Sequence, residues 1–259
     1  MKKLGIFLII LITFSLIIIN IIGINLINAE QKVGNKDLEI VKRDNNDLIR
    51  AMKYREGKND QLKQKLSQRN AIGLVSSAYN DGSGVLVKNN KVLTATHVVS
   101  KPNKKLEKPF SIKYYPYGQN SKILKEQTLP IKVKKVKQLK NSELTVLTLK
   151  KPIKNIKPLK INHQNIKKSN TVTSFGYKED NDKLLKQFES KGKIAFTRKD
   201  FNNKNYDVIF AHIKNDFGMS GGPLLNNKNE IIGICSFKYN SQPYAGYIST
   251  QNINSNDLK

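Results

Sequence analysis

Between residues 70 and 250 apolar side chains recur at roughly every second position in short runs, and no helical stretch separates one run from the next. That period is the signature of half-buried strands. The candidate strands are Ile72 to Ala78, Gly84 to Val87, Lys91 to Thr94, Phe110 to Tyr114, Ile131 to Val136 and Leu144 to Leu149, broken by Asn, Gly, Pro and Lys. A basic connector, KPIKNIKPLKINHQNIKKSN, leads to a second group: Thr171 to Gly176, Leu184 to Phe196, Tyr206 to His212, Pro223 to Leu225, Ile231 to Ser236 and Tyr244 to Ile248. Two groups of strands around one linker predict an all-β chain of two antiparallel barrels or sandwiches, the first over about 70–155 and the second over about 165–250. Without helical crossovers, a parallel α/β sheet is excluded.

The start of the chain has a different pattern. Met1-Lys2-Lys3 precedes the apolar run LGIFLIILITFSLIII, which continues weakly to Ile27. A basic end followed by such a run reads as an export signal over residues 1–29, or as an uncleaved membrane anchor, since Leu4 to Ile27 is long enough to span a bilayer. Either way the rest of the chain lies outside the cytoplasm, secreted or held at the membrane. Residues 30–69 are charged, and Leu38, Val41, Leu48, Ile49 and Met52 recur at helical spacing before Gly57 interrupts ahead of Leu62 and Leu66. They read as helical: a stalk, a propeptide or a helix packed on the domain 70–259.

Charge narrows the partners. With 46 Lys and Arg against 20 Asp and Glu the net charge is +26, which attracts anionic polymers and lipids. The lysines are dispersed and no nucleic-acid motif accompanies them, so a nucleic-acid partner is not expected. The single cysteine, Cys235, excludes an intrachain disulfide and any multi-cysteine metal site. It sits in the apolar stretch IIGIC and reads as a small buried hydrophobe. His163 and His212 have no companions at metal-ligand spacing, and neither a metal nor a cofactor is expected.

Three segments carry chemistry. Hydrolysis of an amide needs a hydroxyl nucleophile, a neutral base, a carboxylate to hold that base in one tautomer, and donors for the oxyanion. DFGMSGGPLLNNKNEIIGICS surrounds Ser220 with Gly218, Gly221 and Gly222, a turn able to aim the Gly218 and Ser220 amides at one point. GSGVLVKNNKVLTATHVVS runs strand, turn and strand to His97. NSELTVLTLKKP sets Glu143 just before an alternating strand.

Taken together these segments resemble the chymotrypsin-like serine peptidases, in particular the disulfide-free bacterial branch with glutamyl endopeptidases and exfoliative toxins. GSGVLV with VLTATHVV is similar to the family's base segment, and GMSGGPLLNNKNEIIGI to its nucleophile loop, in the family's order of base, acid and nucleophile. The resemblance implies two six-stranded barrels, a catalytic trio of His97, Glu143 and Ser220, an oxyanion hole of Gly218 and Ser220, and a protein or peptide substrate. It also exposes departures. Glu143 stands where Asp is usual, and Met219 stands where digestive members have an ion-pairing Asp. In the pocket implied by the branch, Cys235 takes the place of a His and Asn215 that of a Thr, with Ser236 and Lys238 beside them. Residues 36–69 loosely resemble the charged helix ahead of the toxins' barrels. The competing reading is a catalytically impaired module on a peptidase scaffold, binding at anionic surfaces.

Overall fold

The computed structural model describes residues 64–66, 69–116, 130–168, 170–179, 185–199, 206–238 and 244–259. The expected signal or anchor over 1–29 and most of the charged segment 30–69 lie outside them. Among the described residues no helix is long and apolar enough to cross a membrane, and the only helical turns are 3-10 turns at Thr96–Val99 and Pro109–Ser111.

The two strand groups close into two barrels. The first contains β2 (Ile72–Ser76), β3 (Asp81–Lys88), β4 (Lys91–Ala95), β5 (Lys113–Tyr115), β6 (Ile131–Gln138) and β7 (Leu144–Leu149). Its order is β2-β3-β4-β7-β6-β5, and β5 returns to β2 with Leu74 opposite Tyr115. The second contains β8 (Thr171–Glu179), β9 (Leu185–Arg198), β10 (Val208–His212), β11 (Pro223–Leu225), β12 (Ile231–Lys238) and β13 (Tyr244–Ser249). Its order is β9-β10-β13-β12-β11-β8, closed by pairing of β8 with β9. Barrels rather than sandwiches resolve the alternatives, because each ring closes on itself, with the first half of β9 keeping a side that neither ring neighbour pairs.

Two expectations shift. The candidate strand from Phe110 begins only at Lys113, because Pro109 has no amide to give a ladder and the chain winds into a 3-10 turn closed by Ile112 N–H on the Pro109 carbonyl (3.2 Å). Phe110, read as a strand residue, is left largely exposed. The second change falls in the segment read as helical, where Gln64–Leu66 form a short strand, β1, antiparallel to the first half of β9. Unsatisfied backbone groups along β9 override local helical spacing.

Packing explains why the second barrel's strands read as nearly continuous apolar runs. In β10, Ile209 and Ala211 join the cluster that includes Val172, Ile194, Leu224, Cys235 and Tyr247. The alternate residues Val208 and Phe210 face the larger core shared with the first barrel, among Leu74, Val85, Leu93 and Leu147. Both faces of the strand are buried, so both must be apolar. With no disulfide available, this double burial is the main source of cohesion.

The approach to the first barrel is tied to the second by Gln187, which is buried in β9. Its Oε1 accepts the Arg69 amide (2.6 Å), while Nε2 donates to the carbonyls of Ile72 (2.9 Å) and Arg69 (3.1 Å). The Arg69 guanidinium meanwhile lies over the Phe175 ring, 4.8 Å from its centroid. Replacing Gln187 by Leu removes these bonds and orphans buried main-chain groups; we expect a loss of about 2–4 kcal/mol, measured as a lower urea midpoint with unchanged slope.

Candidate active site

His97 and Glu143 are brought together by strand register. β4 and β7 pair antiparallel with Ala95 opposite Leu144, so the residue after one faces the residue before the other. Thr96 accordingly donates its amide to the Glu143 carbonyl (2.9 Å), and its hydroxyl meets that of Thr145 (2.9 Å). Beyond Ala95 the chain enters the Thr96–Val99 turn, anchored by buried Val98 and Val99. Asn80 Nδ2 donates to the carbonyls of His97 (3.2 Å) and Ser100 (3.1 Å), and Ser100 Oγ donates to the Thr96 carbonyl (2.8 Å). Held this way, His97 projects into solvent with its side chain 44% exposed.

One carboxylate oxygen then does two things. Glu143 Oε1 accepts the His97 backbone N–H (3.0 Å) and lies 2.9 Å from His97 Nδ1. An ionised carboxylate only accepts, so Nδ1 carries the proton and Nε2 is left with its lone pair. The extra methylene of Glu over Asp is therefore absorbed without loss of reach.

Ser220 sits in the loop between β10 and β11. The loop opens at Asp216, whose carboxylate pairs with Lys178 of β8 (2.8 Å) and whose carbonyl accepts the Met219 amide (3.2 Å). Gly221 donates to the Cys235 carbonyl (2.8 Å) and Gly222 to the Met219 carbonyl (3.0 Å). Gly218 and Gly221 have φ of +88° and +83°, and a Cβ on Gly221 would stand 2.1 Å from the Ser83 carbonyl oxygen, so only glycine fits there. Among the described residues the Gly218 and Ser220 amides donate to no protein acceptor. Met219, where an ion-pairing Asp was the alternative, is fully buried against Gly176 of β8.

The loop and the histidine turn meet across β3. A Cβ built on Gly82 would come within 2.7 Å of the Val98 side chain and 3.0 Å of the Ser220 carbonyl oxygen. Ser83, beside it, joins the barrels directly: its amide donates to the Ser220 carbonyl (2.7 Å) and its hydroxyl to the Gly218 carbonyl (2.9 Å). Ser83 escaped the sequence reading. The signal was present in the run Gly82-Ser83-Gly84, since small residues inside a strand mark close approach of another backbone.

The residues expected to line a pocket divide. Asn215 and Cys235 are buried in a saturated polar cluster: Asn215 Oδ1 accepts from Ser174 Oγ (3.1 Å), and Nδ2 donates to Cys235 Sγ (3.0 Å) and to the Tyr247 hydroxyl (2.8 Å). Ser236 is half-buried on β12, and Lys238 ends that strand. Burial pushes the Cys235 thiol up to about 12 against the smaller opposing effect of the Asn215 hydrogen bond. Burial likewise raises Tyr247 well above its ordinary value and lifts Tyr177 to about 12. The cluster is thus neutral at physiological pH. His163 Nδ1 lies 3.1 Å from the Gln251 carbonyl and His212 packs edge-on against Tyr244; among the described residues no three His, Cys, Asp or Glu side chains converge to hold a metal.

Two closed barrels, with a histidine and carboxylate on one and a serine in a glycine-bounded turn on the other, have the architecture of the chymotrypsin-like serine peptidases. A model of the trypsin-like peptidase domain matches residues 82–234, and the chain belongs to that family. A glutamyl endopeptidase of Staphylococcus epidermidis is 28% identical over 199 residues, covering 70% of this chain and 64% of the relative. The match thus spans just under two thirds of that relative's length. Among solved structures, a Glu endopeptidase superposes with a TM-score of 0.62 at 16% identity, covering 77% of this chain and 96% of its own. An inactivated protease paralogue from the scabies mite superposes with a TM-score of 0.58 at 16% identity, covering 74% and 93%. At such identities the likeness is one of fold.

The raised thiol and phenols carry a pH signature. The folded state keeps protons that the unfolded chain releases, so their contribution is complete below about pH 9 and is lost as pH rises toward 12. Urea midpoints should fall across that window, less steeply in Cys235→Ala. At pH 8 an aromatic disulfide reagent should label Cys235 in the unfolded chain and leave the native chain unlabelled.

Proposed function

We propose that the protein is an extracytoplasmic serine endopeptidase that cleaves protein or peptide substrates through an acyl-enzyme on Ser220. The observation that carries the reading is the pair of contacts from Glu143 Oε1 to the backbone amide and Nδ1 of His97. A histidine held in that tautomer can take the Ser220 proton on Nε2 as the hydroxyl attacks the scissile carbonyl. Negative charge then develops on the carbonyl oxygen, and the Gly218 and Ser220 amides are the donors for it. The imidazolium that forms is stabilised by Glu143 and returns its proton to the leaving amine. Water, activated by the same base, completes hydrolysis of the ester. Family membership and similarity to a glutamyl endopeptidase support the reaction class. Export is supported by Met1-Lys2-Lys3 and the apolar run behind it.

The neutral cluster of Asn215, Cys235 and Tyr247 offers no fixed cation to an acidic side chain, so we assign a peptidase without carrying over the glutamate preference in the relative's name. Labelling with a fluorophosphonate probe tests the assignment. The wild-type chain should be labelled and Ser220→Ala should not; equal labelling of both would refute the nucleophile. Glu143→Gln keeps the shape but loses the charge and the tautomer, and should lower kcat by up to about ten-thousandfold. A wild-type chain that resists the probe while folded would favour the binding module.

A further inference from the structure

We infer that Ser83 is the positioning residue of the oxyanion-binding turn. This rests on the peptidase reading above. Two carbonyls flank the peptide that presents the Ser220 amide, those of Gly218 and Ser220, and Ser83 donates to both: its hydroxyl to the first (2.9 Å), its amide to the second (2.7 Å). The same hydroxyl accepts the Tyr177 amide from β8 (2.8 Å), and the Ser83 carbonyl accepts the Thr94 hydroxyl from β4 (2.7 Å). Every polar atom of the residue is thus engaged. Ser83 is 0% exposed, so these bonds form without competition from water.

The arrangement answers a need created by Met219. The turn has two glycines at positive φ, unstrained there but conformationally free, so outside contacts are what order the backbone. Met219 makes no ion pair and is buried against β8 instead. Beyond the bonds from β8 and β12, support for the turn comes from the first barrel, the one that carries His97. Ser83 lies on β3, which pairs with β4, and β4 leads into the His97 turn. One strand pair therefore carries both the residue that leads into the His97 turn and the residue that holds the Ser220 turn. A serine suits the position because its hydroxyl can accept from one barrel-two backbone group while donating to another.

Ser83→Ala keeps the amide bond to Ser220 and loses only the hydroxyl. With kcat expressed per titrated site, we expect turnover of p-nitrophenyl acetate and the rate of fluorophosphonate labelling to fall about 10- to 100-fold, the scale of a misplaced reacting group, with KM little changed. Amide hydrogen exchange at Met219 and Gly222, compared between Ser220→Ala and Ser83→Ala/Ser220→Ala, should accelerate at least about tenfold. The exchange comparison is independent of activity. If the wild-type chain is never labelled, the peptidase reading fails while exchange still decides the role of Ser83. Unchanged exchange, an unchanged kcat per site, or an effect confined to KM or to melting temperature would overturn the inference.

Discussion

The Ser83 amide on the Ser220 carbonyl, at 2.7 Å, is the contact through which the first barrel holds the turn carrying the proposed nucleophile. Each barrel closes on its own hydrogen bonds, so nothing in either ring dictates how the two are set against each other. One place that sets it is where Gly82 and Ser83 let the 218–222 loop approach the backbone of β3. The shared core of Leu74, Val85, Phe210 and Ile234 then supplies the cohesion, and the polar bonds supply the register. A larger residue at Gly221 would meet the Ser83 carbonyl where the two barrels join.

Charge plays a different part from the one its total implies. Several lysines are structural: Lys137 donates to the carbonyls of Asn256 and Asp257, Lys88 to that of Leu258, and Lys91 to that of Lys259, pinning residues 256–259 on the first barrel. Burial, together with Lys135, Lys88 and Lys137, holds the Lys91 ammonium below its ordinary pKa. Elsewhere Lys113 faces Lys132 across the β5–β6 pair, a like-charge pairing that works against the sheet. Both side chains are exposed, so water and salt screen much of the repulsion.

Much of the fold was legible because strand period and turn residues are local. Leu144–Leu149 and Pro223–Leu225 appear with the boundaries that alternation predicts, and the hairpin behind Ser220 closes at Asn226 and Glu230 as expected. What was not legible came from partners far along the chain. Gln64–Leu66 is a strand only because β9 lies beside it, and Pro109 displaced the start of β5 by removing a donor. The grouping of Asn215 and Cys235 with Ser174 and Tyr247 depends on side chains brought together from three strands and a loop.

The sequence by itself determined the chemical groups and their local frames: His97 at the end of a strand, Glu143 before its partner, Ser220 among glycines with two amides able to face outward. Those follow from residue type and from periods of a few residues. Only the tertiary structure decided that the longer Glu143 side chain still reaches His97, because the pairing of Ala95 with Leu144 sets that distance. It also decided that the turn bearing Ser220 is held by Ser83 in place of an ion pair at Met219. A hydrogen bond between residues 135 positions apart leaves no periodic trace in a sequence, so its existence rests on how two closed barrels meet.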